Sequence, residues 1–375
     1  MEYLAQCVET RSLAGDGPFT KRCERILEER FGVRRVVLTH SGTSALDVAA
    51  RAIGLGPGDE VILPSFTFVA TANAVAACGA RPVFVDVRPD TLNIDESRIA
   101  SAVTPRTKAI FPVHYAGCAC AMDAILEVAD LYGLVVVEDA AQGVDAYYRG
   151  RPLGTLGHLG VYSFHEAKNL AGGQVGAVCV NDARFDERVQ IVRDKGTNRA
   201  QLLRGEALFY TWLDVGSAFA PSELCSAFLC AQLEAIDEIQ ERRLEVFDRY
   251  RRLLQPHEGA GFRLPRPPDD CRLNGHIFFL LAADRAARDG LLEHLRRDGV
   301  CAQFHYVPLH ASPMGRSFGF REGMLPATED AAARIVRLPL YNDLSAEDQD
   351  FVVERVLAYW NPVPQPPRPI AAAGA

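Results

Sequence analysis

Lys168 stands in SFHEAKNLAGGQVG, residues 163–176, between two apolar runs that read as strands, HLGVYSF and GAVCV. The chain has 40 basic residues, and only Lys21, Lys108, Lys168 and Lys195 are lysines. Arginine serves a solvated surface as well as lysine does, but it cannot form a Schiff base. A lysine just past a strand end is therefore a candidate for covalent carbonyl chemistry; its other reading is a surface residue. Two further stretches carry complementary chemistry. Ser41-Gly42-Thr43-Ser44 opens a segment of helical periodicity. Exposed N–H groups, hydroxyls and the helix dipole there make either an anion site or a plain N-cap. In VVVEDAAQ, residues 135–142, Asp139 ends a buried strand. It faces the crevice where α/β folds bind ligands, or it caps the next turn.

Together these supply what pyridoxal 5'-phosphate needs: a phosphate cradle at Gly42, Thr43 and Ser44, an acid that keeps a ring nitrogen protonated, and an amine that joins the aldehyde. Gln142, one turn beyond Asp139, is placed to hydrogen-bond the ring hydroxyl. Phe68, in SFTFVAT, either stacks on the ring or packs a helix start. Ser163, at the strand end before the lysine, completes the cofactor-binding set.

The elements that must position these residues are legible as an alternation. RVVL (35–38), DEVILP, RPVFVDV, KAIFPV and LVVVED read as strands. Residues 41–54, TFVATANAVAAC, IDESRIASAV and MDAILEVADLYG read as helices. Apolar strands without alternation are buried on both faces, as in a parallel sheet between helix layers. The character changes near residue 222. SELCSAFLCAQLEAIDEIQERRLEVFDRYRRLL reads as one long helix or two, bridging to a smaller domain. There HIFFLLAAD and CAQFHYV read as strands, and RDGLLEHLRRDG, 327–336 and 346–359 as helices. The predicted division is a large α/β domain over 1–240, a small α+β domain over 241–361, and a proline- and alanine-rich tail over 362–375, expected to be disordered.

Composition excludes several classes. A net charge of −8 over 375 residues argues against a nucleic-acid-binding surface. No apolar run reaches the ~18 residues of a membrane span, and MEYLAQCVET lacks the pattern of a secretory signal. Ten scattered cysteines show no disulfide framework and suit a reducing cytoplasm. His114-x3-Cys118-x-Cys120 lacks a fourth zinc ligand, so no metal is expected. Gly54-x-Gly56-x-Gly58 follows a helix, the wrong context for a dinucleotide fingerprint. Glu138 and Asp139, adjacent on a strand, point to opposite faces and so do not form a glycosidase pair.

The order SGTSAL, PSFTFVATANAV, FVDVRPDTLNID, PVHYAG, VVEDAAQG, YSFHEAKNL and FHYVPLH resembles the DegT/StrS-type sugar-nucleotide aminotransferases, from about residue 15 to about residue 360. DKGTNRAQLLRG, YTWLDVGS and HYVPLHASPMGRSFG are most similar to the TDP-4-keto-6-deoxyglucose 4-aminotransferases of that family. The resemblance implies the PLP fold-type I, aspartate-aminotransferase-like architecture. It implies a homodimer with shared active sites, and an L-glutamate donor that converts the cofactor to pyridoxamine 5'-phosphate. It also implies amination of a nucleotide-linked 4-keto-6-deoxyhexose, with Lys168 as covalent attachment point and proton carrier and Asp139 on the ring nitrogen. The family's ketosugar dehydratases carry histidine at the lysine position, so Lys168 favours amino transfer. Amination at C3, a non-catalytic regulatory protein on the same scaffold, and an aldolase-like reactive lysine are the alternatives.

Substrate contacts are expected at Lys195, Arg199 and Arg204, whose charge suits a pyrophosphate or a solvated loop. Tyr210 and Trp212 would flank the sugar or base, or pack a dimer interface. His305, Tyr306 and His310 lie where the family closes over its active site. Two departures stand out. Gly216-Ser217-Ala218-Phe219-Ala220 replaces the frequent G-Y-N-x-R, leaving Ser217 as the substitute for an asparagine that reaches a phosphate across the dimer. Gly173-Gln174-Val175-Gly176 replaces a common G-E-G-G, which predicts a different local loop. The chain also starts late against typical members, so a short leading segment is expected to be missing.

Overall fold

A computed structural model describes residues 1–11 and 13–361; the tail at 362–375 lies outside the described residues. The apolar runs of the first half form seven strands: β1 Arg35–Thr39, β2 Glu60–Pro64, β3 Arg81–Val85, β4 Thr107–Ile110, β5 Val135–Asp139, β6 Leu159–Ser163 and β7 Gly176–Val180. They make one sheet in the order β1-β7-β6-β5-β4-β2-β3. The run from β3 to β6 is parallel. β7 is antiparallel to both β6 and β1.

Alternate side chains of each strand enter two different cores, which is why the strands carry no polar face. Leu38, Ile62, Val136 and Cys179 pack with Leu27, Phe31, Ile125 and Leu229 on one side. Val37, Leu63, Val137 and Val178 pack with Leu46, Val48 and Val189 on the other. Each such fully buried aliphatic side chain contributes about 1.5–3 kcal/mol.

The expected helix in IDESRIASAV is much reduced. A 3-10 turn, Glu96–Arg98, runs into a single α turn, Ile99–Ala102. Pro105 follows closely and offers no N–H to continue it. The long segment after 222 is two helices, Glu223–Glu234 and Ile236–Leu254, meeting at Ala235. The first packs on the helix Pro18–Phe31 and anchors its start: the Glu223 carboxylate accepts from the N–H groups of Gly17 (3.0 Å) and Phe19 (2.9 Å). The second carries Val246, Phe247, Tyr250 and Leu254 into a separate core with Phe278, Leu280, Leu291 and Val353.

That second core lies on an antiparallel sheet of Phe262–Arg263, Phe278–Ala282 and Ile335–Leu338. Here the sequence reading needs correction. CAQFHYV is not a strand; it touches the sheet only where Gln303 and Arg337 exchange backbone bonds of 3.1 and 2.7 Å. Past Gln303, His305 and Tyr306 turn toward Tyr115 of the large domain. The third strand is instead IVRL, read from sequence as the end of a helix. The helix Pro326–Arg334 stops where that β-branched pair begins. No helix among the described residues is long and apolar enough to cross a membrane.

Candidate active site

The C-terminal ends of β5 and β6 and the start of the helix Gly42–Ala52 meet at one edge of the large sheet. Asp139, buried, ends β5. Its carboxylate accepts from the Thr71 hydroxyl at 2.7 Å and from the Ala141 N–H at 3.2 Å. Thr71 lies in the first turn of the helix Val69–Ala77, and its N–H donates to the Phe68 carbonyl at 3.3 Å. The Phe68 ring is 56% exposed, so it is not core packing; it stands on the open side, one turn from the partner of Asp139.

Lys168 sits in an irregular loop after β6. The loop is held by main-chain bonds from Lys168 N to His165 O (2.8 Å), Gly172 N to Phe164 O (2.7 Å) and Phe164 N to Val175 O (2.8 Å). Val175, a departure noted in the sequence, is fully buried and serves as this anchor, while Gly173 takes the positive φ of 75°. Burial lowers the Lys168 amine to about 8; the charge of Arg337 acts the same way and that of Asp139 opposes it.

Gly42 meets the lysine strand directly. A Cβ on Gly42 would lie 2.7 Å from Ser163 Cβ and 2.9 Å from Ser163 Oγ, so only glycine lets the helix start rest on β6. Ser41 caps that helix, accepting from Ser44 N at 3.1 Å. The Ser44 hydroxyl is committed to Ser41 Oγ (2.8 Å) and His40 Nδ1 (2.7 Å), whereas Thr43 is exposed. The N-cap reading therefore holds at Ser41, and the exposed Thr43 is the part of this helix start left uncommitted.

Gln142 Oε1 accepts from Ala116 N at 2.7 Å, and its Nε2 donates to the Tyr306 hydroxyl at 3.1 Å. Tyr306 stacks on His305, with ring centroids 3.8 Å apart and planes 16° from parallel. His305 Nδ1 lies 3.0 Å from the Tyr115 hydroxyl, and its Nε2 accepts from Arg337. Accepting on Nε2 fixes the neutral tautomer with its proton on Nδ1. Burial, Arg337 and Lys168 push His305 down to about 3, consistent with that. Burial pushes the Tyr306 phenol up to about 12. Lys168 shares a small cleft of ≈ 10 Å³ with Gln142, Ser163, Asn169, Asn274 and His276. Asn169 ties it to the small domain, bonding His276 Nδ1 (2.8 Å) and the Asn274 carbonyl (2.7 Å).

The remaining sequence candidates lie elsewhere. His310 is fully buried, its ring held between Ser65 Oγ (2.7 Å) and Glu329 (2.9 Å), so it has no face for a ligand. Arg199 pairs with Asp16, and Arg204 with Glu206 at 2.7 Å, so the expected basic cluster is divided among carboxylates. Lys195 is exposed, and its N–H donates to the Ser217 carbonyl at 2.9 Å. Tyr210 and Trp212 are exposed by 53% and 76%. Thr71, Tyr115, Asn169, His276 and Arg337 were missed. Thr71 and Arg337 are single polar side chains inside apolar elements, and Tyr115, Asn169 and His276 lie in irregular segments, so none carries a signal that many other residues do not share.

The DegT/DnrJ/EryC1/StrS aminotransferase family matches residues 1–357. The chain belongs to this family. It is similar to the GDP-perosamine synthase of Caulobacter vibrioides, 33% identical over 358 residues, 94% of this chain and 93% of that protein. It is also 35% identical over 346 residues, 92% of this chain and 90% of the other, to a pleiotropic regulatory protein of Geobacillus stearothermophilus. Among solved structures, DesV of S. venezuelae superposes with a TM-score of 0.88 at 33% identity, covering 96% of this chain and 94% of that one. The DegT-family chain is thus a PLP-dependent sugar aminotransferase of fold type I. Its own residues fit the cofactor: a buried carboxylate with spare acceptor capacity, a lysine whose amine gives up its proton readily, and a helix N-terminus that glycine alone brings against Ser163.

Proposed function

We propose that this DegT-family enzyme transfers the amino group of L-glutamate to C4 of a nucleotide-linked 4-keto-6-deoxyhexose. The substrate is TDP-4-keto-6-deoxy-D-glucose and the product is the 4-amino-4,6-dideoxy sugar. The observation that carries amino transfer is Lys168, an amine lowered to about 8 at the sheet edge where Asp139 is buried. The motif phrases around 194–217 and 305–319 support the C4 position. Bound pyridoxal 5'-phosphate supplies the electron sink that lets a C–H bond next to the transferred amine ionise.

Each side chain has a role toward it. Lys168 would hold the cofactor covalently, and its amine is the group that would take and return the proton at the substrate carbon. Asp139, oriented by Thr71, keeps the ring nitrogen protonated. Thr43 and the first amides of the helix Gly42–Ala52 would hold the phosphate, and Phe68 would pack against the ring. Gln142 and the Tyr306–His305 stack border the sugar side.

The active unit is a homodimer in the cytoplasm. Leu208, Phe209, Trp212, Leu213 and Val215, exposed by 52–87%, form an apolar strip of the kind that a second copy covers. Ten free cysteines, six of them buried, suit a reducing compartment. The test is incubation with PLP, L-glutamate and a panel of nucleotide ketosugars, followed by NMR of the product. A new amine at C4 supports the proposal; one at C3 replaces it with amination of a 3-keto sugar. The Geobacillus relative's name favours a second reading, a regulatory protein on this scaffold. A protein that binds no PLP, judged by visible absorbance, would establish it.

A further inference from the structure

The main-chain bonds that shape the Lys168 loop close within it, between Phe164 and Val175. Among the described residues, Asn169 is the only one of residues 165–170 with a hydrogen bond outside that loop. Its Nδ2 donates to the Asn274 carbonyl (2.7 Å) and to Gln240 Oε1 (3.3 Å), and its Oδ1 lies 2.8 Å from His276 Nδ1. With Nδ2 turned to two acceptors, Oδ1 faces the imidazole, so Nδ1 carries the ring's proton and donates it. Burial and the charges of Lys168, Arg243 and Arg337 keep that ring neutral, well below an ordinary histidine.

Asn274 extends the connection to the acid. Its Nδ2 donates to the carbonyls of Gln142 and Val144, both at 2.8 Å, in the loop that leaves Asp139. Its Oδ1 accepts from His276 N at 3.1 Å, and its carbonyl also receives Gln240 Nε2 at 2.5 Å. Gly117 leaves room for it, since a Cβ there would lie 2.1 Å from Asn274 Oδ1. Asn169, Gln240, Asn274 and His276 are all buried. Three amides and an imidazole are costly to bury unless their bonds are made. Here those bonds join the lysine loop and the Asp139 loop to the helix Ile236–Leu254 and to the stretch entering the strand Phe278–Ala282. We propose that His276 and Asn274 are positioning residues that act through Asn169: together they place the Lys168 amine beside Asp139, in register with a cofactor held by both. This rests on the amino-transfer reading above. Neither residue exchanges a proton; each places a group that does. A displacement of about 1 Å at a reacting group can cost about 100-fold in rate, which is the scale on which such a clamp acts.

The test has two arms. In the apoprotein, competitive acetylation gives the Lys168 midpoint in wild type, His276→Phe, His276→Asn and Asn169→Leu, with a thermal melt of each. In the second arm PLP is added, and its covalent attachment is followed by visible absorbance and located by borohydride trapping and peptide mapping. His276→Phe and Asn169→Leu release the loop and let water reach the amine. The midpoint then rises by about one pH unit or more, and attachment slows roughly 10- to 100-fold. His276→Asn, whose amide nitrogen can stand where Nδ1 stood, recovers both. His276→Phe combined with Asn169→Leu is no worse than Asn169→Leu alone, because the two cut one connection. A wild-type midpoint and attachment rate in His276→Phe overturn the clamp even if the melt falls, since the cluster is then structural only; Asn169→Leu decides if the phenylalanine variant does not fold. Additive losses in the double variant overturn action through Asn169. Wild type in which PLP joins a residue other than Lys168, or none, defeats the amino-transfer reading itself.

Discussion

In the cofactor-free protein, the Lys168 amine should titrate near pH 8 rather than at the ordinary 10.5. At pH 7 that leaves about 10% of it as free base, against about 0.03% for an ordinary lysine, a difference of roughly 300-fold in nucleophile. Competitive acetylation between pH 6 and 11, read by peptide mass spectrometry, gives the midpoint directly. Asp139→Asn removes the charge that favours the ammonium form, so the midpoint falls further; Arg337→Met moves it up. The same shift sets a stability window. Between about pH 8 and pH 10.5 the unfolded chain keeps a proton that the folded chain has released. Unfolding then takes up a proton, so the apoprotein gains stability as pH rises through that window. Lys168→Met abolishes the gain. A wild-type midpoint near 10.5, or an Asp139→Asn midpoint above wild type, would refute the reasoning.

Four further outcomes are expected. Gly42→Ala drives a methyl into Ser163 and costs about 1–3 kcal/mol; thermal melts and PLP titration should both weaken, and adding Ser163→Gly should restore them. Glu138→Gln puts an amide nitrogen among buried donors and destabilises by about 3–5 kcal/mol in urea melts, while activity per folded molecule persists. Tyr306→Phe removes the hydroxyl that Gln142 Nε2 donates to, raising KM for the sugar nucleotide more than it lowers kcat in steady-state assays. Phe209→Ser with Trp212→Ser makes the exposed strip polar, and sedimentation equilibrium should then report monomer.

The large domain was legible because its signals are local. Apolar runs of strand length alternate with helices whose starts and stops are marked, as at Ser41 and Gly133. As candidates, Asp139 and Gly42 stood out because they sit at element ends, and Lys168 because it lies in the loop just after one, where α/β folds place ligands. The small domain was less so. CAQFHYV has strand composition, yet two aromatic side chains leave the sheet to reach Tyr115, a tertiary contact no window of sequence contains. IVRL has only four residues and abuts a helix, so its period is too short to read. Arg337 was invisible for a related reason: in an arginine-rich chain, one more arginine just past a segment that reads as a helix looks like solvated surface. The basic cluster failed differently. Arg199 and Arg204 are near in sequence, but their charges are taken by Asp16, from the distant N-terminal segment, and by Glu206.

Glu138 and Asp139 show how two carboxylates, adjacent in sequence, come to do different work. Strand alternation sends them to opposite faces of β5. Glu138 accepts from His114 Nε2 at 2.8 Å and from the N–H groups of Gly154 (2.9 Å), Leu156 (2.6 Å) and Gly157 (2.6 Å). A carboxylate offers about four acceptor sites, so Glu138 is saturated by the loop it fixes. The His114 ring is equally committed: its other nitrogen accepts from Cys120 N at 3.1 Å, which removes it as a metal ligand. Asp139 accepts from one hydroxyl and one distant amide. That leaves about two acceptor sites, enough to orient the carboxylate and still receive an N–H from a bound ring. Motif order names both residues alike; the number of donors already on each decides which one can hold a proton for the reaction.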